Sequence, residues 1–506
     1  MTVRCRPSAA ALLLLVASFA VANPRSEASG ITGDSTKTNR QWIAVCPTAW
    51  AGALAPLRDY RAGQGRPACI WTFADLAASY GGYGPTQIRQ ALSDAYTNWT
   101  VKPRWVCLVG DHDANGGAED LIADWKLYNP ELGRWEDYIR GLWPYMDLND
   151  DNVPELAVGR IPASSTTDVA NYITKIQRHD TDLNNHVGYS ASTMVIEDEN
   201  RNGNDSLWVR QLGDSLYRTW DLAPSKQTIY YSALPCCDGS PKAAVVNAWN
   251  QGPGVVTALG NGSNWFLLVH FWDLCDYNYW WSISDLAPTN KFPALLGLSC
   301  GVTASDHVIY SSCDWQRPIT EQLLVATSNS GASVVIGPMR NTYQYGDFVI
   351  GKHLLHRKYL NDHTWGEVFV NAMHDALVED PAVFDHVYQY VLEGDPAAQA
   401  TPFDVAGVPT SGRTLALELR LPFPNPARER AQVTYNLPNP GKIRLEICDV
   451  AGRRIRLLAD RAEDPGAYTA VWDLTDDSGE RVRAGVYFVR LRQSLRTLTH
   501  RIIVVQ

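Results

Sequence analysis

The chain is short of several things, and each shortage removes a class of protein. Past its first two dozen residues no stretch is long and apolar enough to span a bilayer, so no transmembrane anchor is expected in the mature chain. Basic blocks are missing as well. Lys and Arg number 44 against 54 Asp and Glu, for a net charge of −10. An acidic chain without a basic stripe is a poor ligand for nucleic acid, so no nucleic-acid partner is expected. Cysteine is sparse, 10 in 506 residues, and no pair has zinc-finger spacing.

What is present begins with an export signal. Two arginines, Arg4 and Arg6, precede an apolar run from Ala9 to Ala22 that ends on Ala20-Val21-Ala22. Residues 1–22 therefore read as a secretory signal peptide, and 23–40 as a polar flexible leader. The expected location is secreted or at the cell surface. Removing Cys5 leaves nine cysteines. Cys46, Cys107 and Cys448 sit within apolar strand patterns and read as packed thiols. Cys236, Cys237, Cys275 and Cys313 lie in loop-like sequence, and spacing does not say how they pair.

From Gln41 to about Ala398 strands alternate with helices, the pattern of a parallel sheet covered by helices on both faces. Gln41–Cys46, Ala68–Phe73 and Arg104–Asp111 read as strands, with a helix at Pro85–Asn98 that opens on proline. The pattern restarts near Thr193, which predicts two α/β subdomains, 41–190 and 191–398. Helices are expected to fill Phe348–Leu392. After a linker at 399–414, residues 415–506 alternate apolar and polar positions between Gly, Pro and Asp clusters. That spacing predicts an Ig-like β-sandwich of about seven short strands.

Two apolar runs break abruptly into small residues: Val255–Leu259 before Gly260-Asn261-Gly262-Ser263, and Ala294–Leu298 before Ser299-Cys300-Gly301. Carboxyl ends of parallel strands are where α/β folds build sites. Cys300 is the candidate nucleophile. The small flanks let a substrate approach, and backbone N–H groups around it are candidates for an oxyanion hole. A thiol needs a base to act at neutral pH, and asparagine cannot accept a proton. His270 and His307 are the two candidate bases, His270 the better. The aromatic segment holding Trp265, Trp272, Tyr277, Tyr279, Trp280 and Trp281 reads as a flap or subdomain contact, or as a wall for a peptide side chain.

Asp147, Asn149, Asp151 and Glu155 place oxygen ligands near one another in a single loop. Calcium favours such sets, although the glycine and final glutamate of an EF-hand are absent. A structural Ca2+ is the one ion considered; no cofactor is required.

The ordered motifs resemble the gingipain-type family of cysteine peptidases. They are Leu108-Val109-Gly110-Asp111, Pro154 to Pro162, Gly260-Asn261-Gly262-Ser263, Leu298-Ser299-Cys300, Thr320 to Leu324 with Gly331 to Gly337, and Leu392 to Ala397. The resemblance implies a caspase-like α/β fold and a cysteine-type endopeptidase acting on peptide or protein substrates. Cys300 would be the nucleophile, and Asn261 stands where the family has its catalytic histidine. A further acid would fall near Glu197, Asp198 and Glu199. The alternative is an inactive pseudo-peptidase serving as a surface binding or scaffold protein; a third reading is processing of other exported proteins. Pro422 to Pro426, Val450 to Arg453, Trp472-Asp473 and Gly485 to Phe488 resemble FlgD-like Ig modules and type IX secretion sorting domains. That likeness implies the secretion machinery or cell envelope as the partner of the tail.

Overall fold

The protein is described by a computed structural model. It covers residues 31, 35–111, 127–129, 134–136, 141–184, 191–196, 211, 213–216, 225–230, 240–260, 262–263, 266–267, 283–303, 318–340, 342–359, 362–401, 418–419, 427–428, 430–437, 440–450, 452–463, 466–493 and 496–505. The chain divides into two units, Met1–Phe403 and Asp404–Gln506.

The first unit is built on one ten-stranded sheet. In chain order its strands are β1 (Trp42–Cys46), β2 (Ala68–Thr72), β3 (Trp105–Val109), β4 (Ala157–Ile161) and β5 (Ala191–Ile196). There follow β6 (Ser225–Tyr230), β7 (Val255–Leu259), β8 (Ala294–Leu298), β9 (Val335–Pro338) and β10 (Tyr390–Glu393). Their order across the sheet is β2-β1-β3-β4-β10-β9-β8-β7-β5-β6. Strands such as β1, β3, β7 and β8 are buried along their whole length, as unbroken apolar runs between helical layers should be. The two stretches that read as subdomains thus share a single sheet.

That sheet is not wholly parallel. β10 runs parallel to β4 but antiparallel to β9. The two halves therefore point in opposite directions, and the carboxyl ends of β7, β8 and β9 share an edge with the starts of β4 and β10. Tyr390–Glu393 also corrects the expectation of continuous helix to Leu392. The helices present are α7 (Gln344–Tyr359), α8 (Trp365–Glu379) and α9 (Phe384–Gln389), and β10 follows them directly. Its apolar residues continue a helical-looking run, but ladder bonds to β9 decide its state.

The other helices used below are α1 (Ala51–Gly63), α2 (Phe73–Tyr80), α3 (Pro85–Asn98), α4 (Thr166–Asn184), α5 (Ser240–Asn250) and α6 (Ile319–Val325). Phe73 opens α2 rather than extending β2. Thr72 and Asp75 form a reciprocal capping box there, with Asp75 N–H donating to Thr72 Oγ1 at 3.2 Å and Thr72 N–H to Asp75 Oδ2 at 2.8 Å. Residues 211 and 213–216 are also helical.

A buried ion cluster ties the first half together. Arg61 of α1 bonds Asp180 of α4 at 2.5 Å and Asp395, just past β10, at 2.8 Å, with no exposed surface on any of the three side chains. Asp395 also accepts from Trp42 Nε1 at 2.9 Å. The turn that carries it is pinned by Tyr172, whose hydroxyl accepts from Asp395 N–H at 2.6 Å and donates to Ser333 O at 3.0 Å.

The second unit is all β. Its seven strands among the described residues are β11 (Glu418–Leu419), β12 (Ala431–Leu437), β13 (Gly441–Asp449), β14 (Arg454–Glu463), β15 (Gly466–Trp472), β16 (Gly485–Gln493) and β17 (Arg496–Val504). They form two antiparallel sheets, β11-β12-β15 and β14-β13-β16-β17, around Tyr435, Leu445, Trp472, Val489 and Leu491.

Candidate active site

β8 lies parallel to β7, with Leu298 opposite Leu259. Gly260 N–H reaches Leu298 O at 3.4 Å. The two strand ends singled out in the sequence therefore sit side by side. Gly260 and Gly301 both take positive φ, 151° and 57°, which a side chain at either turn would oppose.

Cys300 emerges from this edge half-buried. Its Sγ is 3.3 Å from Thr342 O, so the S–H donates to a backbone carbonyl. Burial, with the Asp347 carboxylate adding to it, pushes the thiol above its ordinary range. The sulfur rests as a neutral thiol. Gly301 N–H donates to Arg340 O at 2.9 Å. That amide, a candidate oxyanion donor in the sequence, is already engaged in this arrangement.

The strap after β9 forms the other wall. Thr342 Oγ1 donates to Asp347 Oδ2 at 2.8 Å, and Tyr390 Oη donates to Asp347 Oδ1 at 2.6 Å. Asp347 is buried, and desolvation raises its carboxyl to about 6 against the pull of those two donors. On the far side of the strap Tyr343 N–H donates to His386 Nε2 at 2.9 Å, while His386 Nδ1 meets Asp385 Oδ1 at 2.8 Å. Between these clamps Tyr343 and Tyr345 project into solvent, 79% and 49% exposed.

Asn261, His270, His307 and Glu197 to Glu199 lie outside the described residues, as do the side chains of the aromatic segment from Trp265 to Trp281. Asn261 is the residue directly after Gly260. Thr342, Asp347, Tyr390 and His386 went unnoticed in the sequence. A signal existed: β9 is a third strand ending at the same edge, and its polar continuation belongs to the site by the same rule that picked out Cys300.

The acidic loop precedes β4. Oxygens of Asp147, Asp151 and Glu155 lie within 4.8 Å of one another. Asn149 Nδ2 donates to Glu155 Oε1 at 2.8 Å, and its Oδ1 accepts from Asp151 N–H at 3.0 Å. Asp147 accepts from the backbone of Asp151 and Asn152 at 3.2 and 2.8 Å. The three carboxylates converge on one point, and Asn149 joins them through Glu155 and Asp151.

Cys300 thus lies at the carboxyl edge of an α/β sheet, beside a second strand end of small residues. The chain belongs to peptidase family C25, whose profile matches residues 35–401. Residues 422–505 match the secretion system C-terminal sorting domain, so the protein is exported and secreted or held at the cell surface. Among curated proteins no relative matches. The fold is similar to the Arg-specific cysteine proteinase gingipain R (RgpB), with 14% identity and a TM-score of 0.57, over 92% of this chain and 98% of that one. It is likewise similar to the complex of Porphyromonas gingivalis RgpB pro- and mature domains, with 14% identity and a TM-score of 0.55, over 92% and 100%. At such identity these structures speak for the fold alone. No helix among the described residues is long and apolar enough to cross a membrane.

Proposed function

We propose that the protein is an exported cysteine endopeptidase in which the Cys300 sulfur attacks a peptide carbonyl. The observation that carries this reading is the half-buried thiol at the end of β8, next to the end of β7 and reachable from solvent. The attacking sulfur must first lose its proton, and the step needs an acceptor beyond Asn261. His270 is the candidate from this chain, with His307 behind it. Tyr343 and Tyr345 offer an aromatic wall for a substrate side chain beside the sulfur. Through its sorting domain the protein would engage the secretion machinery or the cell envelope.

A second reading has its own support. Burial and a nearby carboxylate favour the protonated sulfur and outweigh the Thr342 hydrogen bonds. A pseudo-peptidase that binds at the surface would look like this. The test is a thiol-reactive peptide probe together with cleavage of an unfolded protein substrate. A peptidase labels at Cys300, cleaves the substrate, and loses both in Cys300→Ala. Slow labelling without cleavage supports the binding protein instead.

The loop Asp147, Asn149, Asp151 and Glu155 would hold a structural Ca2+, since all four can offer oxygen. Millimolar Ca2+ is expected to raise the melting temperature by ~2–4 °C over EGTA. Asp151→Asn should remove the difference; equal melting temperatures in Ca2+ and EGTA would reject the ion.

A further inference from the structure

The inference deepens the reading of Cys300 as nucleophile and rests on it. Three elements converge behind the sulfur. Cys300 lies two residues past β8, Thr342 lies on the strap after β9, and Tyr390 begins β10. Asp347, at the first turn of α7, joins the last two. It does not touch substrate, because it is buried. Its bond to Thr342 Oγ1 holds the residue whose carbonyl receives the Cys300 S–H.

We propose that Asp347 is a positioning residue for Cys300, fixing the Thr342 carbonyl against the S–H and, by its negative charge, keeping the sulfur protonated. The Asp347 carboxylate opposes a second negative charge nearby and adds to burial in holding the sulfur protonated, while the hydrogen bonds of Thr342 pull the other way. Removing the charge while keeping the hydrogen-bonding shape should therefore release the thiolate.

The groups facing Asp347 are few among the described residues. Tyr390 and Thr342 donate to it, His386 approaches from α9, and Cys300 faces it from β8. His386 is engaged by Asp385 and by Tyr343 N–H. The charge that varies next to the sulfur in mildly acidic to neutral solution is thus that of Asp347, with His386 as the second contributor.

The test is alkylation of Cys300 by iodoacetamide as a function of pH, read on the Cys300 peptide by mass spectrometry in the full chain. Asp347→Asn is expected to lower the labelling midpoint by about one pH unit, and so to speed labelling at pH 7 by ~tenfold. Asp347→Ser removes the same charge with a smaller polar side chain and should move the midpoint in the same direction. Circular dichroism checks that each variant is folded. If Asp347→Asn does not fold, Asp347→Ser decides. A wild-type midpoint in the folded variants overturns the proposal. A purely structural role would loosen the fold without shifting the midpoint. The readout needs no peptidase activity, so a wild-type protein that labels but never cleaves would reject the proposed function and leave this inference standing.

Discussion

Asn261→His is expected to raise the labelling rate of Cys300 at pH 7 by ~100-fold or more, the range of a positioned general base. The expectation follows from what surrounds the sulfur. Burial holds the thiol above its ordinary range, Thr342 O accepts a hydrogen bond from its S–H and Asp347 adds a negative charge. Nothing in that set removes a proton. Gly260-Asn261-Gly262-Ser263 stands where gingipain-like sequences carry GHGS, and Gly260, which follows β7, lies beside Leu298 at the edge where Cys300 emerges. A histidine there would accept the proton and, once charged, favour the thiolate next to it. The measurement is the second-order rate with the peptide probe, with Cys300→Ala as the blank. An unchanged rate would mean that the missing imidazole is not what limits the sulfur, and His270 or another acceptor would become the centre of attention.

The largest loss of stability is expected from the buried ion cluster. Asp395→Ala strips Arg61 of one partner and Trp42 of its acceptor at a fully buried position. Leaving a buried charge under-paired costs about 3–5 kcal/mol, read as a lower denaturation midpoint of the first unit. Asp180 gives the same cluster a pH signature. Burial disfavours its charge, but Arg61, with help from His179 and Gln399 N–H, holds its carboxyl down at about 2. A carboxylate held below its unfolded value contributes stability above about pH 4 and loses it as the pH falls through about 2. Over that window ~2 kcal/mol should disappear. Asp180→Asn should flatten the acid limb of the stability curve. An acid limb as steep as wild type would assign the acid sensitivity to other groups.

How much of this could be read in advance differs by element. β1, β3, β7 and β8 are short, unbroken apolar runs bounded by turn residues, so their state follows from local pattern. The same pattern placed Cys300 at a strand end. Tyr390–Glu393 was hidden because its residues continue the spacing of the helix before it, and only partners distant in sequence make it a strand. The reversal between the halves of the sheet was hidden for the same reason. Asp347, Tyr390 and His386 are far apart in sequence from Cys300, and a buried carboxylate inside a helical pattern looks like any exposed one. Their relevance comes from a shared edge. The acid loop was legible because its oxygen-bearing side chains lie within nine residues of one another.

The backward entry of β10 has a mechanical outcome. Its first residue bonds Asp347, and two positions earlier Tyr388 bonds Asn152 of the acid loop and stacks edge-on against Trp143. Three residues across the α9–β10 junction therefore touch the acid loop through Tyr388 and Asp347 through Tyr390. Had this strand followed the sense of β9, Tyr390 would sit at the opposite rim of the sheet, away from Asp347.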